Sequence, residues 1–206
     1  MWVLALLYGC CFGIELTIDN YAPLYFTDYF HASLTTAGLL AGTFGMMNLF
    51  ARALGGIVSD RFGLRWGLRG RAMLLGATIL CEGFGLVLFS RMTVLPAAVA
   101  AMMLAGLFVK MSNGATYSLV PFVNKKAIGA VAGIVGAGGN LGAVLAGFLF
   151  KSSLTWPEAL LILGGIVAVS STLAFTVRFS EADETVAQRE LRARLAASMV
   201  PATAGD

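Results

Sequence analysis

Charge is scarce in this sequence. Asp, Glu, Lys and Arg make up 12% of its 206 residues, about half the ~25% of a water-soluble domain. That shortage excludes an ordinary soluble globule. The net charge of +3 is split among separate loops and gives no ground for a nucleic-acid partner. Histidine is reduced to His31, in a short connection without metal-ligating neighbours. Cys10, Cys11 and Cys81 sit inside apolar runs at spacings unlike metal ligands, so they read as small hydrophobes and not as a disulfide frame. No nucleophile–base arrangement is visible, and neither enzyme chemistry, a metal nor a cofactor is expected. No basic segment precedes the first apolar run, which argues against a cleavable signal peptide. The chain opens directly in that run, as expected for a piece of a longer polypeptide or one half of a two-part assembly.

What the sequence does have is apolar length. It is 58% hydrophobic, and a hydrocarbon core of about 30 Å takes roughly 20 apolar residues per helix. Six spans can be drawn: Trp2 to Phe30, Leu34 to Val58, Arg71 to Phe89, Val94 to Val120, Ala127 to Phe150 and Leu154 to Val177. The expected class is an all-α membrane protein with six transmembrane helices over residues 1–178. A polar tail follows over 179–206, with a short helix around Thr185 to Ala197. The connections alternate between short ones and basic ones. Arg61, Arg65, Arg69 and Arg71 cluster after the second span, Lys125 and Lys126 precede the fifth, and Arg178 follows the sixth. Only Arg91 and Lys151 lie on the other side. The positive-inside rule then puts both termini in the cytoplasm of a multi-pass cell-membrane protein.

The fifth span, Lys125 to Phe150, is crowded with glycine: Gly129, Gly133, Gly136, Gly138, Gly139, Gly142 and Gly147. Gly costs roughly 1 kcal/mol against Ala inside a helix, so the density needs a cause other than propensity. Two i,i+4 ladders, Gly129-Gly133-Ala137 and Gly138-Gly142-Ala146, would let another backbone or a small ligand approach closely. Tight helix packing is one reading. Asn140, an amide at membrane depth, points to a polar task as well.

Glu15, Asp19, Arg52, Glu82 and Lys110 fall within the spans, where facing lipid costs about 2.5–3.5 kcal/mol or more each. Tyr8, Glu15 and Asp19 share one helix face, Asn48 and Arg52 are i,i+4 neighbours, and Lys110, Asn113 and Tyr117 follow at i, i+3 and i+7. Counted from one membrane side, Tyr8 and Arg52 lie roughly 9 Å deep, Asn113 roughly 12 Å, and Gly138 to Asn140 roughly 17–20 Å. A guanidinium ringed by amides and a phenol there suits a small planar oxyanion, whose oxygens its rigid fork matches. Glu15 and Asp19 are candidates for carrying a proton. The alternative is that one of them is a counter-ion for Arg52 or Lys110.

The stretch Gly56-Ile-Val-Ser-Asp60-Arg61-Phe-Gly63-Leu-Arg65 resembles the cytoplasmic loop motif of the major facilitator superfamily. Three further stretches, Tyr8 to Asn20, Thr36 to Gly56 and Gly67 to Arg71, resemble the nitrate/nitrite porter family within it, as does Gly129 to Gly142, which is similar to that family's signature in the eleventh helix. The resemblance covers Trp2 to Val177. It implies the C-terminal half of a twelve-helix transporter, equivalent to helices seven to twelve, moving nitrate or nitrite by alternating access, while Glu15 and Asp19 favour uptake coupled to protons. On it, Arg52 is the anion-binding arginine and Tyr8 a substrate-contacting aromatic. Asn48, Gly138, Gly139 and Asn140 complete the substrate zone, and Gly136 to Asn140 shift against substrate. Lys110 and Asn113 fall at variable positions and are given no substrate role. The partners implied are the anion, the lipid bilayer and an N-terminal six-helix half. Exchange of nitrate for nitrite, transport of another small anion, and a transport-incompetent subunit that pairs with a partner half are the rivals.

Overall fold

The computed structural model describes residues 1–177, 179, 184–189 and 192–193. Among them the secondary structure is entirely helical: α1 (Trp2–Phe30), α2 (Leu34–Met46), α3 (Ala51–Ser90), α4 (Leu95–Leu119), α5 (Ile128–Phe150) and α6 (Trp156–Ser170). A short tight turn of helix, Met47–Leu49, joins α2 to α3. Helix ends fall where the local chemistry puts them. His31 closes α1 in the left-handed region at φ 53°, and the Ser33 hydroxyl accepts the Thr36 amide at the start of α2. The Thr155 amide and hydroxyl both donate to Glu158 at the start of α6. Pro23 lies inside α1 and cannot donate to the carbonyl of Asp19.

The apolar stretch Leu34–Ser90 spans 57 residues, about 85 Å if it were straight, far beyond one bilayer core. Gly67 divides it. At φ 66° and ψ −155° this residue adopts a backbone open essentially to glycine, and the chain folds back. Arg71 thereby returns to Asp60 at 2.8 Å, although eleven helical residues would separate them by about 16 Å. Two helical limbs result, one on each side of Gly67. The loop expected from Ser59 to Gly70 is therefore helical on both sides of one residue, because nothing in it but Gly67 breaks the hydrogen-bond ladder. Arg71, counted above among the free basic charges, is buried. It also donates to the Ser118 carbonyl at 2.9 Å and lies over the Phe122 ring, so it clamps both limbs of α3 to the end of α4. In the loop motif, a side chain at Gly63 would strike Arg71, whereas Gly56 faces open space.

Close approach of backbones explains much of the glycine. A Cβ on Gly13 would lie 2.7 Å from the Gly142 carbonyl carbon, joining α1 to α5. One on Gly83 would lie 2.6 Å from the Ala168 nitrogen, joining α3 to α6, and one on Gly85 2.8 Å from the Ala105 Cα, joining α3 to α4. Without a hydrophobic drive between helices in lipid, such contacts carry the association. Between them the core fills with Leu7, Ile14, Phe44, Leu75, Met102 and Leu119.

Of the polar tail, 178, 180–183, 190–191 and 194–206 lie outside the described residues. Residues 184–189 are helical. Glu184 pairs with Arg69 at 3.4 Å beside Gly67, and Ala187 is buried.

Candidate functional site

Glu15 organises the polar interior. It is 2% exposed on α1, and both its oxygens are occupied. Oε1 accepts from Asn48 Nδ2 at 2.5 Å and from Lys110 Nζ at 3.1 Å. Oε2 accepts from Arg52 Nη2 at 2.7 Å and from Asn113 Nδ2. A carboxylate at membrane depth with four donors and two cations is satisfied in the way such burial demands. Two cations face this one carboxylate, and the Asp19 carboxyl one turn away shares their field.

The two cations differ. Lys110 is fully buried on α4, its ammonium held between Glu15 and the Phe44 ring 4.2 Å away. The Arg52 side chain is 39% exposed, and its Nε has no hydrogen-bond partner. Arg52 thus bonds Glu15 through Nη2 and keeps Nε buried, while part of its side chain stays exposed. Its position is fixed from behind: Gly114, the residue after Asn113, lets the backbone of α4 meet the Arg52 carbonyl.

Aromatic rings flank the guanidinium. Arg52 Cζ lies 5.8 Å from the Phe12 ring, Phe12 stacks on Tyr8 with centroids 5.1 Å apart, and Tyr117 meets Tyr8 edge-on. Gly139 makes room for that stack, since a Cβ there would lie 2.7 Å from Phe12 and 2.8 Å from Tyr8. The glycine-rich helix α5 therefore supports the rings, and the rings flank the cation.

The structure brings Tyr8, Glu15, Asn48, Arg52 and Gly139 together and separates others. Gly138 and Gly142 face the backbone of α1 at Ala5 and Gly9 and serve close packing. Gly129 and Gly133 face open space, and Gly136 lies nearest the Tyr117 hydroxyl, 3.9 Å from an added Cβ. Asn140 is exposed and its amide donates to the Gly136 carbonyl of its own helix. Asp19 is exposed one turn beyond Glu15 and makes no hydrogen bond or ion pair among the described residues. Glu82 is wholly buried on α3 with neither oxygen partnered, and it takes no part in the shell around Glu15. An open cleft of about 420 Å³ runs between α1 and α5 beside Asn20, Tyr21 and Lys151, away from Arg52. Phe12 was not foreseen. Its place four residues after Tyr8, on the same helix face, was the available signal.

Long apolar helices packed around a buried guanidinium–carboxylate cluster mark a multi-pass membrane protein. The chain belongs to the Major Facilitator Superfamily, whose profile matches residues 1–203. Its sequence is 41% identical over 178 residues to high affinity nitrate transporter 2.5 of Arabidopsis thaliana, covering 84% of this chain and 34% of that protein. It is 45% identical over 154 residues to high-affinity nitrate transporter 2.3 of Oryza sativa subsp. japonica, covering 72% and 29%. Against the nitrate/nitrite transporter NrtP of Nostoc punctiforme it is 36% identical over 159 residues, covering 77% and 31%. The resemblance to the nitrate/nitrite porters read from Tyr8 to Asn20 and from Gly129 to Gly142 is borne out. The chain spans about a third of the length of these curated relatives. In fold it is similar to the inward-open xylose transporter XylE from E. coli, with a TM-score of 0.66 at 14% identity, over 97% of this chain and 56% of that one.

Proposed function

We propose that this chain is the C-terminal half of a nitrate/nitrite transporter that works by alternating access, with Arg52 as the anion-binding group. The observation that carries the reading is the position of Arg52: a half-exposed side chain bonded to Glu15 through one nitrogen and flanked by Phe12. A planar monoanion accepts two parallel bonds from such a fork. Similarity to proteins named as nitrate and nitrite transporters supports the choice of anion.

Residues 1–178 correspond to helices seven to twelve, residues 179–206 form a cytoplasmic tail, and both termini lie on the cytoplasmic side of the cell membrane. The N-terminal six helices come from the same longer polypeptide or from a separate one, and they cover the open face that carries Gly129, Gly133 and Ala137. Uptake is coupled to protons, and Asp19 is the carboxyl that carries them, since Glu15 is committed to two cations. The test is reconstitution in proteoliposomes with a matching N-terminal half, followed by nitrate uptake with and without an inward proton gradient. Saturable uptake driven by the gradient, and lost from its control in Asp19→Asn, is the expected result. Uptake that ignores the gradient favours nitrate/nitrite exchange. Binding of the partner half without any uptake would identify a transport-incompetent subunit.

A further inference from the structure

We propose that Glu15 is an internal competitor for the anion on Arg52, and that Lys110 is the positioning residue that allows Glu15 to release it; this rests on reading Arg52 as the anion-binding group. The carboxylate of Glu15 occupies the guanidinium as a planar oxyanion would, with Oε2 2.7 Å from Nη2. An incoming anion must share or displace that contact. What remains on Glu15 afterwards decides whether displacement is easy.

Oε2 keeps Asn113, and Oε1 keeps Asn48 and Lys110. Glu15 therefore never becomes a buried charge without a cation, the situation that makes breaking an interior ion pair so unfavourable. The asymmetry between the cations fixes which one moves. Lys110 is sealed at 0% exposure against Phe44, whereas the Arg52 side chain is 39% exposed toward the open side. Lys110 is the permanent counter-ion and Arg52 the exchangeable one. Glu15 also ensures that the anion, once bound, can be replaced on Arg52 and leave. A site with the arginine alone would hold it.

The proposal is tested on the chain assembled with a matching N-terminal half, using nitrate as the probe and reading KM and kcat for uptake together with equilibrium nitrate binding. Lys110→Met leaves Arg52 as the sole cation on Glu15 and should raise KM by about tenfold or more. Glu15→Gln frees the guanidinium, so nitrate should bind several-fold tighter while kcat falls because release slows. The double variant Glu15→Gln with Lys110→Met removes both the competitor and its tether and should return KM to within about threefold of wild type. A lysine that merely supported the fold would lower kcat and the folded yield together and leave equilibrium nitrate binding unchanged, whereas here binding itself weakens and is restored. Wild-type KM in Lys110→Met, or a double variant as weak as Lys110→Met, overturns the proposal. Should Lys110→Met fail to insert, Glu15→Gln decides alone, and nitrate binding no tighter than wild type refutes the competitor. A wild-type assembly that takes up no nitrate overturns the reading of Arg52 itself, and that arm separates the two failures.

Discussion

Arg52 is useful because its fork has more donors than Glu15 can occupy. One Nη2 bond goes to the carboxylate, Nε is buried without a partner, Cζ lies 5.8 Å from the Phe12 ring, and the side chain stays 39% exposed. Arg52→Lys keeps the charge and loses the planar pair of donors. The lysine ammonium would collapse onto Glu15 as a second point charge beside Lys110. We expect nitrate KM to rise by about tenfold or more with the protein still inserted and folded; unchanged affinity in an uptake titration would show that the fork is not the binding element. Arg52, Asn48 and Tyr8 could be read from the sequence because polar groups in an apolar run stand out and helical spacing aligns them. Pairing of Glu15 with Arg52 or Lys110 was one of the readings the sequence left open, and the full shell was not legible. Lys110 and Asn113 lie 95 and 98 residues further along the chain, and only packing of α4 against α1 and α3 turns them toward that carboxylate. Phe12 shares the helix face of Tyr8, but that spacing gains meaning only once Arg52 is known to lie beside the ring.

At the level of elements, the two glycine ladders of α5 divide the work between them. Gly138 and Gly142 sit against the backbone of α1, whereas Gly129 and Gly133 touch nothing. Gly138→Leu should therefore cost about 1–3 kcal/mol or more of overpacking and lower the unfolding midpoint of the purified protein in detergent. Gly133→Leu should leave that midpoint unchanged and abolish uptake in the assembled transporter, because its side chain enters the space the other half must slide across. Equal melting behaviour for the two variants would contradict this division. The ladders were visible in the sequence, but which of them packs and which stays free depends on the side α1 takes. The all-helical class was likewise legible from apolar length alone. Helical continuity through Asp60 to Trp66 was not, since arginines and glycines in a row read as a loop. Only the positive φ of Gly67 distinguishes a folded-back helix from a loop there. Gly67→Ala should destabilise by about 1–3 kcal/mol through backbone strain, seen as a lowered unfolding midpoint in the same detergent measurement.

On the scale of the whole molecule, the open side of the bundle is chemically unfit for lipid. Asp19, Asn48 and Asn140 are exposed and Arg52 is half-exposed, although α1, α3 and α5 are long and apolar enough to cross a membrane. A charged group facing hydrocarbon at a helix centre costs about 2.5–3.5 kcal/mol or more, and amides add to it unless partnered. Water or other protein must therefore cover this side, and carriers built from two halves around a midplane site supply both. The consequence can be measured without transport. In a background with Cys81 replaced by Ser, a Gly133→Cys variant should react quickly with a membrane-impermeant thiol reagent when the chain is purified alone in detergent. Cys10 and Cys11 serve as the internal control, being half-buried and buried on α1. Adding a matching N-terminal half should slow labelling at position 133, and saturating nitrate should change the rate again as the two halves exchange faces. The chain reconstituted alone should give background uptake only. Labelling at position 133 that ignores the added half would mean that the exposed ladder of α5 does not face it.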